Sequence, residues 1–277
     1  MNPKISIITI TYNSEKTVEE TIKSVISQDY SNFEYIIIDG VSTDKTLDIV
    51  NKYKDDIAVI SSEKDKGISD AFNKGILKAS GEIIGIINSD DLLLPGALAK
   101  VAENYNPNIE VYSGNVLFWD DETGKTLVDY PELDFSKLKA QYGVAHQSRF
   151  ITKEAYLKYG LYDIRFRYNM DTELLCRFFK KGAKFAYIDE VLTKYRLGGT
   201  TADPIYKKKN DYKLFVECYG GSKFDFYKIW VQVVIKYNLI QLSYMLFGKD
   251  FRYTLHTNPF YRRFLLPIVK FFYKEVY

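Results

Sequence analysis

Residues 83–91 read Ile-Ile-Gly-Ile-Ile-Asn-Ser-Asp-Asp, an apolar run that ends on two adjacent carboxylates. Such a run is typical of a strand that is buried on both faces of a parallel sheet. Ligands of open α/β sheets bind at the carboxyl ends of these strands, where Asp90 and Asp91 are then expected. Neighbouring carboxylates repel each other unless a cation lies beside them, and oxygen ligands favour Mg²⁺ or Mn²⁺ completed by substrate phosphates. The stretch therefore predicts a site for a metal ion and a diphosphate.

The alternative interpretation of the two acids is a helix cap. Pro95 favours the first position of a helix, which would place the cap at Leu94, after both acids. The metal–diphosphate interpretation therefore fits the stretch better.

The segments around this strand alternate between β-branched runs and amphipathic helical patterns. The runs are Lys4–Thr11, Phe33–Asp39 and Ile57–Ser62, and the helical patterns are Glu15–Gln28, Thr43–Lys54 and Ile68–Ala79. This alternation predicts right-handed βαβ units in an α/β fold with a mostly parallel sheet. Neither a Gly-x-Gly-x-x-Gly after the first run nor a Walker lysine loop occurs, which argues against a dinucleotide-binding dehydrogenase and a P-loop enzyme.

The pattern changes after a helix predicted at Pro95–Tyr105. An extended hairpin is predicted next, followed by two helices and two short strands. The hairpin strands are Glu110–Phe118 and Thr126–Tyr130, the helices are Thr152–Tyr159 and Asp171–Lys181, and the short strands are Phe185–Ile188 and Leu192–Arg196. We therefore expect an antiparallel addition to the parallel sheet.

Composition divides the chain of 277 residues near Asp203-Pro204. Residues 1–204 hold 25 basic and 31 acidic side chains, whereas residues 205–277 hold 13 basic and 5 acidic side chains and 20 of the 44 aromatic residues. We predict two domains on this basis: an α/β domain over residues 1–204 and a basic, aromatic-rich helical C-terminal region over residues 205–277.

The cysteine content and the N-terminal sequence predict a cytoplasmic protein. Cys176 and Cys218 are too few for a disulfide framework and lack the close spacing of a zinc site. The N-terminal residues run directly into a strand pattern and lack the charged start, apolar middle and cleavage site of a signal peptide.

Polar residues follow the first two predicted strands, at the edge where Asp90 and Asp91 are expected. Residues 9–13 read Thr-Ile-Thr-Tyr-Asn, and residues 39–46 read Asp-Gly-Val-Ser-Thr-Asp-Lys-Thr. Asp39 could accept a hydrogen bond from an imide N–H such as N3 of uracil, because an ionised carboxylate only accepts.

Residues 63–75 lead out of the same edge after the third strand, and two interpretations of them stay open. Asp70 and Lys74 are four residues apart on a predicted helix and can form a surface ion pair. The polar groups of this first turn can instead reach a ribose or a diphosphate.

Four motifs, taken in order, resemble those of the family 2 glycosyltransferases with the GT-A fold. They are Thr-x-Thr-Tyr-Asn at 9–13, Asp-Gly-x-Ser-x-Asp-x-Thr at 39–46, Asp-Lys-Gly-Ile-x-Asp-Ala-x-Asn-Lys-Gly at 65–75 and Asn-Ser-Asp-Asp at 88–91. The resemblance covers residues 3–200 and is greatest to bacterial enzymes that assemble capsular and other surface polysaccharides. It implies a GT-A catalytic domain and an inverting transferase that uses a nucleotide sugar, usually a UDP sugar, with Mn²⁺ or Mg²⁺.

Carried over position by position, the resemblance implies that Asp39 binds the base, Asp90 contacts the ribose or donor sugar, and Asp91 ligates the metal on the diphosphate. Asn88 takes the first place of the family's Asp-x-Asp element, which leaves Asp91 as the principal metal ligand. The predicted donor-binding residues are Thr9, Thr11, Tyr12, Asn13, Asp39, Asp65, Asp70, Asn73, Lys74, Asn88, Ser89 and Asp90.

The family also requires a catalytic base, and Asp171 in the segment Arg167–Leu175 matches that position. The base removes the proton of the acceptor hydroxyl as its oxygen attacks the anomeric carbon from the face opposite the leaving diphosphate. Glu173 is the second candidate. The structural alternative is that Asp171 caps the helix that follows it.

Three further residues are expected on the acceptor side of the site, where His146 contacts the acceptor or the donor. The segment Gly143–Phe150, with His146 and Gln147, resembles the part of the family that closes over the acceptor, and Arg196 is expected in a mobile loop where it meets phosphate. The resemblance implies a saccharide acceptor, carried on a lipid. A polyprenyl phosphate acceptor and a non-catalytic nucleotide-sugar-binding protein are the alternatives.

The C-terminal region predicts contact with a surface. Residues 226–247 form an apolar helical pattern in which Lys236 disfavours a membrane span, and residues 259–277 mix basic with aromatic side chains. Such a mixture is typical of a helix on anionic lipid, here at the inner face of the membrane. A homo-oligomer interface is an equal alternative, and nucleic-acid binding explains the mixture less well.

Overall fold

The computed structural model describes residues 2–121, 123–131, 146–198, 209–218 and 221–247. The chain forms two compact units, one of residues 1–135 with 144–202 and the other of residues 136–143 with 203–277. The predictions for residues 143–145 and 259–277 lie outside the described residues.

The first unit contains nine strands, six α-helices and one short 3-10 helix, Lys54–Asp56, among its described residues. In chain order they are β1 Ile5–Thr11, α1 Val18–Ile26, β2 Phe33–Asp39, α2 Thr46–Asn51, β3 Val59–Ser62, α3 Ile68–Lys78, β4 Ile83–Ile86, β5 Leu92–Leu93, α4 Ala97–Glu103, β6 Val111–Trp119, β7 Thr126–Asp129, β8 Arg149–Thr152, α5 Lys153–Tyr159, α6 Met170–Lys180 and β9 Phe185–Arg196. The second unit contributes α7 Lys209–Cys218 and α8 Lys223–Phe247.

The nine strands form one mixed sheet in the order β3-β2-β1-β4-β8-β6-β9-β5, with β7 paired to β6. Pairing is parallel from β3 to β4 and between β6 and β9, and it is antiparallel where β8 joins β4 to β6. The predicted α/β fold with a mixed, mostly parallel sheet flanked by helices is confirmed. The predicted hairpin is also confirmed, since Val116–Trp119 pairs antiparallel with Thr126–Asp129.

The two short strands predicted at Phe185–Ile188 and Leu192–Arg196 are one continuous strand, β9. The pairing of β9 with β6 continues through the intervening residues, past irregularities around Asn115. Asn115 donates a side-chain hydrogen bond to Asp189, at 3.2 Å. The irregularity places the polar residues outside regular pairing without ending the strand, as a β-bulge does.

The sheet buries apolar side chains on both faces. Ile5 and Ile7 point to the face covered by α1, α2 and α4, while their neighbour Ile8 points to the opposite face. There α3 approaches so closely that a Cβ added to Gly75 would lie 2.5 Å from Cγ2 of Ile8. Burial on both faces explains the continuous apolar runs in the sequence. Parallel pairing of β1 with β2 and β4 places the carboxyl ends of these three strands at one edge.

Candidate functional site

Asp39 ties together the carboxyl ends of β1, β2 and β3. Its buried carboxylate accepts hydrogen bonds from the hydroxyls of Thr11, Ser42 and Ser62 at 2.9, 2.5 and 2.7 Å, and from the Ser42 amide at 3.0 Å. Burial raises the pKa of Asp39, but these hydrogen bonds more than offset it and the pKa falls below its usual value. Asp39 is therefore an ionised anchor of the edge, and its contact with a base stays a prediction.

The loops after β1 and β2 hold strained backbone. Asn13 and Val41 have φ angles of 50° and 64°, which is rare for a non-glycine residue and especially for a β-branched one. Oδ1 of Asn13 accepts a hydrogen bond from the Thr43 amide at 2.9 Å, which ties the two loops together, and Tyr12 is exposed beside them. Strain of this kind clusters at ligand sites, and its position here supports one at this edge.

Asp91 lies in the turn after β4 and is fully buried. Its Oδ2 accepts hydrogen bonds from Nε2 of Gln147 at 3.0 Å and Nδ2 of Asn88 at 3.2 Å, and its Oδ1 accepts one from the Arg196 amide at 3.0 Å. Burial and the charge of Asp90 raise the pKa of Asp91 to about 7. The carboxylate thus joins three segments of the chain, and Gln147 lies beside it, buried.

Asp90 is the half-buried member of the pair. In the parts of the chain that the structure describes, no other residue donates a hydrogen bond to its carboxylate. Burial raises the pKa of Asp90, and the charges of Arg196 and His146 act against that rise. Of the two adjacent acids, Asp90 is the better placed to meet a ligand, while the metal role of Asp91 stays a prediction.

The donor set at this edge fits a hard divalent cation. Asp90 offers carboxylate oxygens, which Mg²⁺ and Mn²⁺ prefer. Within the described ranges, no three His, Cys, Asp or Glu side chains form a group that could hold a metal ion. An ion here would take one or two ligands from the protein and the rest from phosphate oxygens or water.

Arg196 is the last residue of β9 and is not in the predicted mobile loop. It hydrogen-bonds to the turn of residues 88–91 after β4, which we call the acidic turn. Its Nε donates to the carbonyl of Asp90 at 3.0 Å, its Nη2 donates to Glu20 at 2.6 Å, and it forms an ion pair with Asp121. The Arg196 amide also holds Asp91. The guanidinium of Arg196 thus has partners inside the protein, and its contact with phosphate stays a prediction.

Asp171 lies in the first turn of α6 and does not cap it, because the cap position belongs to Asn169 with a left-handed φ of 49°. The alternative base, Glu173, is buried, and its two carboxylate oxygens pair with Nε and Nη2 of Arg177 at 2.8 and 3.0 Å. Asp171 is therefore the carboxylate of this segment that is available for chemistry.

His146 connects Asp171 with the acidic turn. Its Nδ1 lies 3.2 Å from Oδ2 of Asp171, and its Nε2 lies 3.3 Å from Oδ1 of Asn88, which also contacts Asp91. The structure thus brings the predicted base and the predicted diphosphate edge into one hydrogen-bonded series.

The side chains from the segment 63–75 are largely engaged within the protein. Asn73 makes two hydrogen bonds with the backbone of Tyr162, at 2.8 and 2.9 Å. Lys74 donates to the carbonyl of Lys64 at 2.8 Å and pairs with Glu63 and Asp70. The ion-pair interpretation of this segment is therefore the one that the geometry favours.

Three other predicted donor residues also have internal partners. Asp65 accepts a hydrogen bond from the Gly67 amide at 2.8 Å, Thr9 accepts one from Tyr35 inside the sheet at 3.0 Å, and the hydroxyls of Ser89 and Ser14 lie 2.8 Å apart. Ser89 alone among these three lies in the acidic turn.

Arg149 lies at the site and was not among the predicted site residues. This buried arginine donates from Nη1 to Ser113 at 2.5 Å, and its Nε has no partner among the described residues. Burial lowers the pKa of Arg149 to about 10, and the charge of Asp171 acts against that fall. Arg149 lines a small cavity together with Ile86, His146, Ile151, Tyr156, Tyr162, Asp171, Leu174 and Leu175. An arginine at the start of an apolar strand pattern was the signal in the sequence.

Several known proteins are similar to this chain in sequence. EpsE of Bacillus subtilis strain 168, a protein assigned as a glycosyltransferase, is 32% identical over 208 residues, which cover 70% of this chain and 73% of EpsE. The GalNAc(5)-diNAcBac-PP-undecaprenol beta-1,3-glucosyltransferase of Campylobacter jejuni is 29% identical over 227 residues, which cover 77% of this chain and 71% of that protein.

Two solved structures share the fold. The mannosyltransferase PcManGT of Pyrobaculum calidifontis, in complex with GDP-Man and Mn²⁺, is 20% identical with a TM-score of 0.62 and covers 80% of this chain and 66% of its own. Residues 1–349 of TarS from S. aureus, in complex with UDP-GlcNAc, are 17% identical with a TM-score of 0.60 and cover 99% of this chain and 82% of their own. Both are glycosyltransferase structures of the GT-A type, which agrees with the predicted fold.

The sequence model of glycosyl transferase family 2 matches residues 6–164, from the start of β1 to beyond α5. This range holds Asp39, Asp90, Asp91 and His146, and Asp171 follows shortly after it. The chain belongs to glycosyl transferase family 2.

Proposed function

We propose that this protein is an inverting, metal-dependent glycosyltransferase that moves a sugar from a UDP sugar to a hydroxyl of a lipid-linked saccharide in the synthesis of a surface polysaccharide. The observation that carries the proposal is the hydrogen-bonded series from Asp171 through His146 to Asn88 and Asp91. It links a carboxylate suited to be a base with the edge suited to hold a diphosphate. The undecaprenol-linked substrate in the name of the Campylobacter relative supports a lipid-linked acceptor.

In the proposed reaction, Asp171 accepts the proton of the acceptor hydroxyl. The hydroxyl oxygen forms the new bond to the anomeric carbon while the bond from that carbon to the diphosphate oxygen breaks, so the nucleoside diphosphate leaves with the electron pair. A bound Mn²⁺ or Mg²⁺ would neutralise the charge of the leaving diphosphate. We assign the carboxylate that would hold this ion to Asp90 in place of Asp91, because the Asp91 carboxylate accepts three hydrogen bonds inside the protein. Asp91 and Arg196 keep the turn that carries Asp90 in place.

Binding of a nucleotide with Mn²⁺ tests this site directly. We expect UDP and UDP sugars to raise the unfolding temperature only when Mn²⁺ is present, by on the order of 5–10 °C at 100 times Kd. Asp90→Asn should lose most of this shift because the amide replaces an anionic ligand, whereas Asp48→Asn, an exposed change on α2, should keep it. Differential scanning fluorimetry provides the measurement.

Three outcomes contradict parts of the proposal. Loss of the shift in a folded Asp91→Asn variant but not in Asp90→Asn would return the metal to Asp91. A shift with GDP but not UDP would overturn the UDP assignment. Mn²⁺-dependent binding without release of UDP, for any pair of sugar donor and saccharide or polyprenyl phosphate acceptor, would favour a non-catalytic binding protein.

We further propose that α8 places the protein on a lipid surface. One face of this helix exposes apolar side chains at spacings of three, four and seven residues, interrupted by the exposed Asn238. They are Phe224, Tyr227, Val231, Ile235, Leu242 and Met245. Trp230 and Phe226 are buried elsewhere on the helix, and Lys223 and Lys228 are exposed near its start. An apolar face with flanking lysines is typical of an interfacial helix. No helix of the described ranges has the length and apolar character to cross a bilayer.

Sedimentation with anionic phospholipid vesicles tests the lipid contact. The double change Val231→Asp and Ile235→Asp is expected to lower the bound fraction at least about fivefold, because charged groups on an interfacial helix disfavour insertion. Gln232→Asp, an exposed change outside the apolar face, is the matched control. Unchanged sedimentation of the double variant would refute the lipid contact, and loss of a dimer in analytical ultracentrifugation would assign the face to a homo-oligomer.

A further inference from the structure

The ring of His146 is held between two fixed partners. Its Nδ1 faces Oδ2 of Asp171 and its Nε2 faces Oδ1 of Asn88, at 3.2 and 3.3 Å. The ring of Phe72 packs against it with centroids 5.3 Å apart, and only 11% of the His146 side chain is exposed. Because its rotamer is set by packing and by two hydrogen bonds, the imidazole is a rigid part of the site.

The orientation of Asn88 determines what the histidine can donate. Nδ2 of Asn88 donates to Asp91 at 3.2 Å, so the amide oxygen of Asn88 must face His146. Both ring nitrogens therefore face acceptors, and a neutral imidazole has only one N–H. Whichever ring nitrogen carries the N–H therefore has an acceptor oxygen beside it.

The contact also selects one oxygen of the base. Oδ2 of Asp171 is occupied by His146, while Oδ1 has no hydrogen-bond partner within the described parts of the chain. The side chain of Asp171 is 20% exposed, so Oδ1 can meet a ligand. A carboxylate held through one oxygen presents the other in a fixed direction.

We propose that His146 is a positioning residue, which fixes the Asp171 carboxylate through Oδ2 so that Oδ1 takes the acceptor proton. Through Asn88, His146 also connects Asp171 with the donor edge, the edge of the sheet at the carboxyl ends of β1, β2 and β4. The inference rests on the proposed glycosyl transfer, and it assigns His146 a role other than contact with the acceptor. Asp171 and Asn88 come from segments far apart in the chain, and His146 contacts both of them.

Steady-state kinetics distinguish a positioning role from contact with substrate. His146→Ala is expected to lower kcat by about 10- to 100-fold, the effect of a small misplacement of a catalytic group, with KM for the donor within about twofold of wild type. His146→Asn keeps a donor near the Nδ1 position and should restore most of kcat, whereas His146→Gln, with its amide near the Nε2 position, should not. Equal activity of the Asn and Gln variants, or a change confined to KM for the acceptor, would overturn the proposal.

A second measurement does not depend on turnover. The chain has two histidines, so His256→Gln leaves the His146 ring as the single imidazole for ¹⁵N NMR. We expect Asp171→Asn to shift the Nδ1 resonance and Asn88→Ala to shift the Nε2 resonance in the folded protein. A ring that does not respond to Asp171→Asn refutes the inference, whether or not the wild-type protein transfers a sugar. Absence of transfer in a protein whose ring does respond would refute the proposed function alone.

Discussion

Asp171→Asn is expected to lower kcat for sugar transfer by about 10²- to 10⁴-fold, the usual contribution of a general base. The amide has nearly the shape of the carboxylate and can still accept a hydrogen bond from Nδ1 of His146, but it cannot take the acceptor proton. Binding of UDP with Mn²⁺ should stay within about twofold of wild type, since Asp171 reaches the donor edge only through His146 and has no direct contact with it. Release of UDP in the presence of acceptor provides the measurement.

The neighbouring acids provide the control for this prediction. Asp163→Asn changes a carboxylate that pairs with Arg165 in the segment before α6, and it should leave kcat within about twofold of wild type. Glu173 cannot replace Asp171 as the base because both of its oxygens pair with Arg177. Full activity of Asp171→Asn would remove this residue from the mechanism.

Arg177→Ala is expected to lower the free energy of unfolding by about 3–5 kcal/mol, as is typical when one partner of a buried ion pair is removed. Arg177 pairs with both oxygens of Glu173, and its Nη groups also donate to the carbonyls of Tyr159, Gly160 and Leu161 at 2.7, 2.9 and 2.7 Å. The substitution leaves a buried carboxylate and three carbonyls at the end of α5 without their donor. Urea unfolding followed by circular dichroism measures the change.

Lys23→Ala is the matched control for Arg177→Ala. Lys23 and Glu19 have the same four-residue spacing on a helix, but the Lys23 side chain is 60% exposed, against 19% for Arg177. Solvent screens the exposed pair, so the urea midpoint should not change measurably. Arg177→Met combined with Glu173→Leu should recover much of the stability, because apolar side chains can replace a buried ion pair. An Arg177→Ala protein as stable as the Lys23→Ala protein would contradict the prediction.

The strands that build the site followed from hydrophobic periodicity. The bounds of β2 agree with the predicted run Phe33–Asp39, and β1, β3 and β4 differ from prediction only at their ends. Strands buried on both faces read as continuous apolar runs, so local sequence is sufficient to find them. The single strand β9 was predicted as two strands. A bulge keeps its acids outside regular pairing, and a bulge cannot be found from local sequence because it depends on the partner strand.

Within the site, the sequence identified the acids but not the way each one faces. Asp90 and Asp91 are neighbours of the same type, and only the turn after β4 buries one and leaves the other half-buried. Arg196 was expected in a loop, and its partners Glu20, Asp90 and Asp121 come from segments distant in the chain. A single sequence contains no local signal for such pairings.

The sequence by itself determined the α/β fold, the order of the motifs along the chain and the carboxylates that could carry the chemistry, because periodicity and residue type are local properties. Only the tertiary structure decided which of those groups are occupied. In the folded protein, the carboxylates of Asp91 and Glu173 accept hydrogen bonds from other residues, and His146 lies between the base and the donor edge. Within the described residues, no other residue donates a hydrogen bond to the Asp90 carboxylate or to Oδ1 of Asp171. The physical reason is that hydrogen bonding and burial depend on neighbours brought together by folding, which for His146 are 25 and 58 residues away.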